Sequence, residues 1–124
     1  MKTGLKRYDS QAEYYFREGC HITELSNDGD DVAVSIARVR VEPGKATRWH
    51  SLKDIAERYV ILSGAGRVEL GRDCKYTVGQ NDVVIIPAGT PQRIINDGSE
   101  ELVFLAICTP RFEESAYRDL EATY

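Results

Sequence analysis

The sequence is short of histidine, with two in 124 residues, at positions 21 and 50. A centre that needs three imidazoles is therefore out of its reach. Cysteine is sparse as well: Cys20, Cys74 and Cys108 are odd in number, widely spaced and without a CxxC pair, which argues against a disulfide framework and against a zinc knuckle. No apolar run approaches the length that spans a bilayer, and the opening residues MKTGLKRYDS hold no apolar core of a secretion signal. The expectation is a cytoplasmic protein with no membrane partner. A formal net charge of −4 leaves no basic stripe to track a phosphate backbone, so nucleic acid is not an expected partner either. Also missing are the GxSxG elbow and the GxxxxGK and GxGxxG loops, and no repeat or linker divides the chain.

What remains reads as one domain over 1–124, made of short β-branched runs. They are Val32–Val41, Arg58–Leu62, Gly66–Leu70, Val83–Ile86, Gln92–Ile95 and Leu102–Ile107, each closed by Gly, Pro, Asn or Asp. Many short strands at even spacing predict a barrel or sandwich. Asn96-Asp97-Gly98 predicts a tight antiparallel hairpin, and Gly64-Ala65-Gly66 a second hairpin turn. Helical pattern is confined to Ser10–Arg17 and Phe112–Leu120. The expected layout is an N-terminal arm with the first strands (1–30), a barrel (31–109) and a helical tail (110–124), an all-β fold with short terminal helices.

Two blocks then stand out. Gly44, His50, Glu57 and Gly64 match the offsets G(x)5HxH(x)3,4E(x)6G, and Pro87, Gly89 and Asn96 those of G(x)5PxG(x)2H(x)3N. Together they resemble the two signatures of the cupin superfamily, and within it the small mannose-6-phosphate-isomerase-like cupins. That resemblance implies a jelly-roll β-barrel (a double-stranded β-helix), a small-molecule ligand in its interior and a homodimer. In the complete pattern three imidazoles and one carboxylate hold a divalent transition metal such as Fe, Mn, Ni or Zn. Three positions depart from it: Leu52 and Gln92 stand where the family has histidine, and Asn81 where it has glycine.

Residues two apart on a strand share a face, so His50 and position 52 point into the barrel, with Glu57 and Gln92 arriving on other strands. Two readings stay open. In one, His50, Glu57 and Gln92 hold a metal ion, and Glu57 and Tyr59 serve an isomerase, lyase or oxygenase acting on a small polar or anionic substrate. In the other the metal is lost, and Arg48, His50, Glu57 and Gln92 hold an anionic or polar ligand in a non-catalytic or sensory module, with Cys108 a further candidate for the ligand site. Alternation puts Arg48 on the face of His50, where its charge would repel a cation and suit an anion; the other outcome is an arginine at a strand end that reaches water. Tyr59 shares the face of Glu57, either as a pocket hydroxyl or as a core tyrosine. Cys108 is either beside the pocket or a small buried hydrophobe. The Tyr14-Tyr15-Phe16 cluster offers apolar surface for pairing two subunits.

Overall fold

A computed structural model describes residues 1–121 of the chain. Eleven strands form two antiparallel sheets. One sheet is ordered β1 (Tyr14–Phe16), β2 (Cys20–Ser26), β3 (Ser35–Val41), β10 (Leu102–Thr109), β5 (Ala56–Ser63) and β8 (Val83–Ile86). The other runs β11 (Tyr117–Asp119), β4 (His50–Leu52), β9 (Gln92–Ile95), β6 (Gly66–Leu70) and β7 (Cys74–Val78). The crossing order, with β10 between β3 and β5, is that of a jelly roll. Among the described residues no helix is long and apolar enough to cross a membrane.

The period of two in the β-branched runs sets which side chains meet. In β8, Val84 and Ile86 are buried while Val83 and Ile85 face outward. Across β3, β10 and β5 the inward residues line up in rows. Val39, Phe104 and Ile61 form one row; Ala37, Ala106 and Tyr59 the next; Ser35, Cys108 and Glu57 the third. Along the strands the rows therefore grade from apolar to polar. The apolar end is the main core, with Val41, Val68, Ile94 and Leu102 fully buried, and the polar end is left to carry chemistry.

Both expected hairpins are corrected by the topology. Strands β5 and β6 lie in different sheets, as do β9 and β10, so Gly64–Gly66 and Asn96–Gly98 are corners that carry the chain from one sheet to the other. Turn-forming residues mark a reversal without saying whether the strands on either side pair. At the first corner Gly64 has φ +81, and a Cβ there would fall 2.4 Å from the Glu101 carbonyl oxygen, so glycine is required. Asn81, standing in place of the family glycine, has φ +71. Asparagine is one of the few residues that visits this region readily, which explains why the exchange leaves the turn intact.

The terminal helices are corrected too. Each shrinks to a three-residue 3-10 turn, Ser10–Ala12 and Glu114–Ala116, followed by a strand, β1 or β11. Tyr14–Phe16 pairs with Ile22–Cys20, and Tyr117–Asp119 with Leu52–His50. Ladder bonds and burial of Phe16 and Tyr117 outweigh the weak helical spacing. The expected helical tail thus holds a strand, and its last three residues, 122–124, lie outside the described residues.

Asn96 ties the second corner together. Its Nδ2 donates to the carbonyls of Val41 at 2.9 Å and Glu100 at 2.8 Å, and its Oδ1 accepts from the Gly98 amide at 3.0 Å. The residue is fully buried, so truncation removes three hydrogen bonds at once, the one to the Val41 carbonyl being buried and costly to leave unmade. Asn96→Ala is expected to cost about 3 kcal/mol in urea unfolding, at about 1 kcal/mol for each lost bond.

Candidate functional site

The polar row meets the second sheet at one end of the barrel. His50 opens β4 and faces Gln92 across the β4–β9 ladder. Glu57 and Tyr59 reach toward them from β5, and the Tyr59 hydroxyl donates to Gln92 Oε1, a buried bond that joins the two sheets. His50, Glu57, Tyr59 and Gln92 are all buried. Cys108, level with Glu57 on β10, lines the same chamber as His50, Leu52 and Glu57.

Arg48 lies elsewhere. Strand β4 begins only at His50, so alternation does not extend back to Arg48. Its backbone amide donates to the Glu18 carbonyl at 2.7 Å, and its side chain turns to solvent, with Nε 3.0 Å from Asp119 Oδ2. The guanidinium neither repels a cation in the chamber nor greets an anion there.

The acid beside His50 is Glu18, which the sequence reading did not single out. It sits in the turn between β1 and β2, where Gly19 has φ +102 and a Cβ would come within 3.0 Å of the Ala46 carbonyl. That close approach carries Glu18 over the barrel mouth, and its Oε2 lies 3.1 Å from His50 Nε2. On the other side of the ring, Nδ1 is 2.6 Å from the Arg48 carbonyl oxygen. A carbonyl only accepts, so Nδ1 carries the hydrogen of that contact and Nε2 is the nitrogen that faces Glu18. Tyr117 from β11 stacks on the imidazole, with centroids 5.2 Å apart at 17°. The glycine after an acid, Glu18-Gly19, was the available signal; assigning the preceding residues to a helix concealed it.

Glu57 is the second carboxyl. Burial pushes it up from the ordinary 4.5 to about 7, the charge of His50 draws it down, and that of Glu18 raises it. Cys108 donates to Glu57 Oε2 at 3.7 Å. The Gln92 amide is near enough to pull on the carboxyl without completing a bond to Oε1, which has no hydrogen-bond partner. A buried, unpartnered carboxyl oxygen faces a real desolvation cost and is a common mark of a working site.

The chamber these residues line holds about 50 Å³, room for roughly three or four waters. It adjoins an outer groove of about 550 Å³ that includes Arg17, Asn27 and Arg111. Tyr14, Phe16, Glu24 and Phe112 border both spaces and form the threshold between them.

The donor set does not fit the transition-metal centre that the complete family pattern implies. Among the described residues no three His, Cys, Asp or Glu side chains are grouped to hold one ion. Leu52 is a wall of the chamber, His50 Nε2 is turned to Glu18, and Gln92 Oε1 is taken by Tyr59. Chain comparisons agree with the architecture. Residues 37–108 match the model of the cupin domain family. The chain is a cupin. An uncharacterized protein of Methanocaldococcus jannaschii, MJ1618, is 32% identical over 123 residues, spanning 98% of each chain. Among solved structures, this cupin is similar to Streptomyces PAC13 with uridine, at a TM-score of 0.77 and 19% identity over 96% of this chain and 93% of that one. It is also similar to KdgF from Halomonas sp., at a TM-score of 0.78 and 13% identity over 92% of this chain and 99% of that one.

The raised Glu57 carboxyl makes stability depend on pH with a definite sign. Between 4.5 and about 7 the unfolded chain has lost this proton and the folded chain keeps it, so stability falls as pH rises through that window. The shift corresponds to about 3 kcal/mol. Glu57→Gln is therefore expected to be more stable than the parent at about pH 8 by up to that amount, with the advantage vanishing near pH 4.5. Urea unfolding at both pH values measures it; an advantage that does not change with pH counts against a raised carboxyl.

Proposed function

We propose that this cupin takes a small polar group of its ligand into the chamber and moves protons on it without a metal ion, as a lyase or isomerase. The observation that carries this reading is the unpartnered Glu57 Oε1, buried in the chamber that the His50–Glu18 pair also lines. Two proton-exchanging groups in one enclosed space are what general acid–base catalysis needs. Ionised Glu57 removes a proton from carbon next to a carbonyl. The proton held between His50 and Glu18 goes to a departing hydroxyl, which leaves as water, or to the carbonyl oxygen, which becomes an enol. Gln92 and Tyr59 hold the wall behind the ligand. A solved relative, Pac13, is described as a nucleoside dehydratase, and loss of water is one of the two outcomes this geometry supports. Because the chamber admits only a few heavy atoms, the bulk of the ligand rests in the outer groove, against the aromatic rings of Tyr14, Phe16 and Phe112.

We also propose a cytoplasmic homodimer, with exposed Tyr15 of β1 as part of the pairing surface. Light scattering that finds a monomer at micromolar concentration removes the dimer. For the chemistry, uridine, hydroxy acids and sugar acids are screened for thermal stabilisation in the presence of EDTA. Each compound that binds is then followed by NMR in D2O for exchange of its C–H proton or loss of water. Glu57→Gln is expected to slow that step by at least about 100-fold while leaving affinity within about threefold. Stabilisation that always requires added metal, a Glu57→Gln variant at the parent rate, or ligands that bind and never react overturns the proposal.

A further inference from the structure

Both carboxyls of the site are held by a buried thiol, and each by one oxygen only. Cys20 Sγ lies 3.1 Å from Glu18 Oε1, while Glu18 Oε2 faces His50. Cys108 Sγ lies 3.7 Å from Glu57 Oε2, while Glu57 Oε1 has no hydrogen-bond partner. The thiols are the donors and the carboxyl oxygens the acceptors. Burial pushes both thiols up, far from ionisation, and each sulfur therefore keeps its hydrogen. Nucleophilic or metal-binding roles need the thiolate, so neither fits these two residues.

Ser35 stands opposite Cys108 in the β3–β10 ladder, as Glu57 does in the β10–β5 ladder. The Ser35 oxygen accepts the backbone N–H of Phe112 at 2.9 Å, so the row that carries the thiol and the carboxyl is tied to the threshold of the chamber.

We propose that Cys20 and Cys108 are positioning residues, each S–H anchoring one oxygen of a site carboxyl so that the other oxygen is presented to His50 or to the ligand. The proposal deepens the acid–base reading and takes its catalytic meaning from it, but the bonds exist without substrate. A thiol is a weak donor, which suits the task. It orients the carboxyl without holding the proton so tightly that transfer stops.

The test is the infrared S–H stretch of the ligand-free protein, with exposed Cys74 as an internal reference. Two bands are expected below that of Cys74, one removed by Cys20→Ala and the other by Cys108→Ala. Glu18→Gln should move only the Cys20 band, and Glu57→Gln only the Cys108 band. Bands that ignore the carboxyl variants, or that coincide with Cys74, overturn the proposal even if the variants lose activity through poor folding. With a reacting ligand in hand, Cys108→Ala is expected to lower kcat about tenfold at unchanged KM, and Cys108→Ser to restore most of it through its hydroxyl. Equal kcat in all three proteins also overturns it. Bands that respond as expected, in a protein where Glu57→Gln reacts at the parent rate, leave the thiol anchors standing and reject the acid–base reading alone.

Discussion

A carboxyl group set in the barrel wall with no cation bonded to it constrains most of the surrounding structure. Glu57 gains little from its neighbours: the His50 charge draws it toward ionisation, Glu18 pushes the other way, and Gln92 and Cys108 are neutral donors. Leaving such a group in low dielectric is unfavourable unless it keeps its proton. The apolar rows beneath it offset that cost by burying Val39, Phe104 and Ile61 as one contiguous floor. Stability is thus concentrated at one end of the barrel and reactivity at the other. The division follows from the order of side chains along β3, β5 and β10.

Loss of two imidazoles from the family pattern reorganises charge as well as ligands. A divalent ion would balance two carboxylates by itself. Here Glu18 and Glu57 share the chamber with one imidazole, and burial favours the protonated form of Glu57. The replaced positions have acquired other work. Leu52 packs with Ile55, Cys108 and Tyr117 in a second small apolar cluster, and Gln92 accepts the Tyr59 hydroxyl to tie the sheets together. Each substitution is integrated into packing or hydrogen bonding, so neither replaced position is left as a gap in the interior.

Much of this was legible before any coordinates. The β-branched runs located β3, β5, β6, β8, β9 and β10 to within a few residues, and the offsets linking Gly44, His50, Glu57, Gly64, Pro87, Gly89 and Asn96 identified the barrel and its interior face. Alternation brought Tyr59 into the group correctly because β5 is regular through it. The same rule misled at Arg48, where the ladder had not yet begun. Short edge strands were the other blind spot. Tyr14–Phe16 and Tyr117–Asp119 are three residues each, too brief for a period of two to be told from a period of 3.6. Glu18 was hidden for a related reason: Glu18-Gly19 marks a turn, but where that turn delivers the carboxyl depends on Gly19 lying close to the Ala46 carbonyl across the fold.

Those two unreadable edges are also what closes the site. The turn after β1 delivers Glu18 to one nitrogen of His50, and β11 lays Tyr117 along the ring. Arg17 binds the two together: its guanidinium lies 4.7 Å over Tyr117 and 5.5 Å over Phe16, and it pairs with Glu114 at 3.0 Å. The imidazole is therefore clasped by segments about 100 residues apart in the chain, neither of which belongs to the signature blocks. Because β1 and β11 are short edge strands, each paired along one side only, they are the parts of the barrel least tied to the core and the first expected to loosen. The central strands hold Glu57 and Gln92 in place, whereas the His50–Glu18 pair depends on the edges. Phe16, at the threshold of the chamber, packs edge-on against Tyr117 with centroids 5.3 Å apart, so the mouth and the clasp share one aromatic contact.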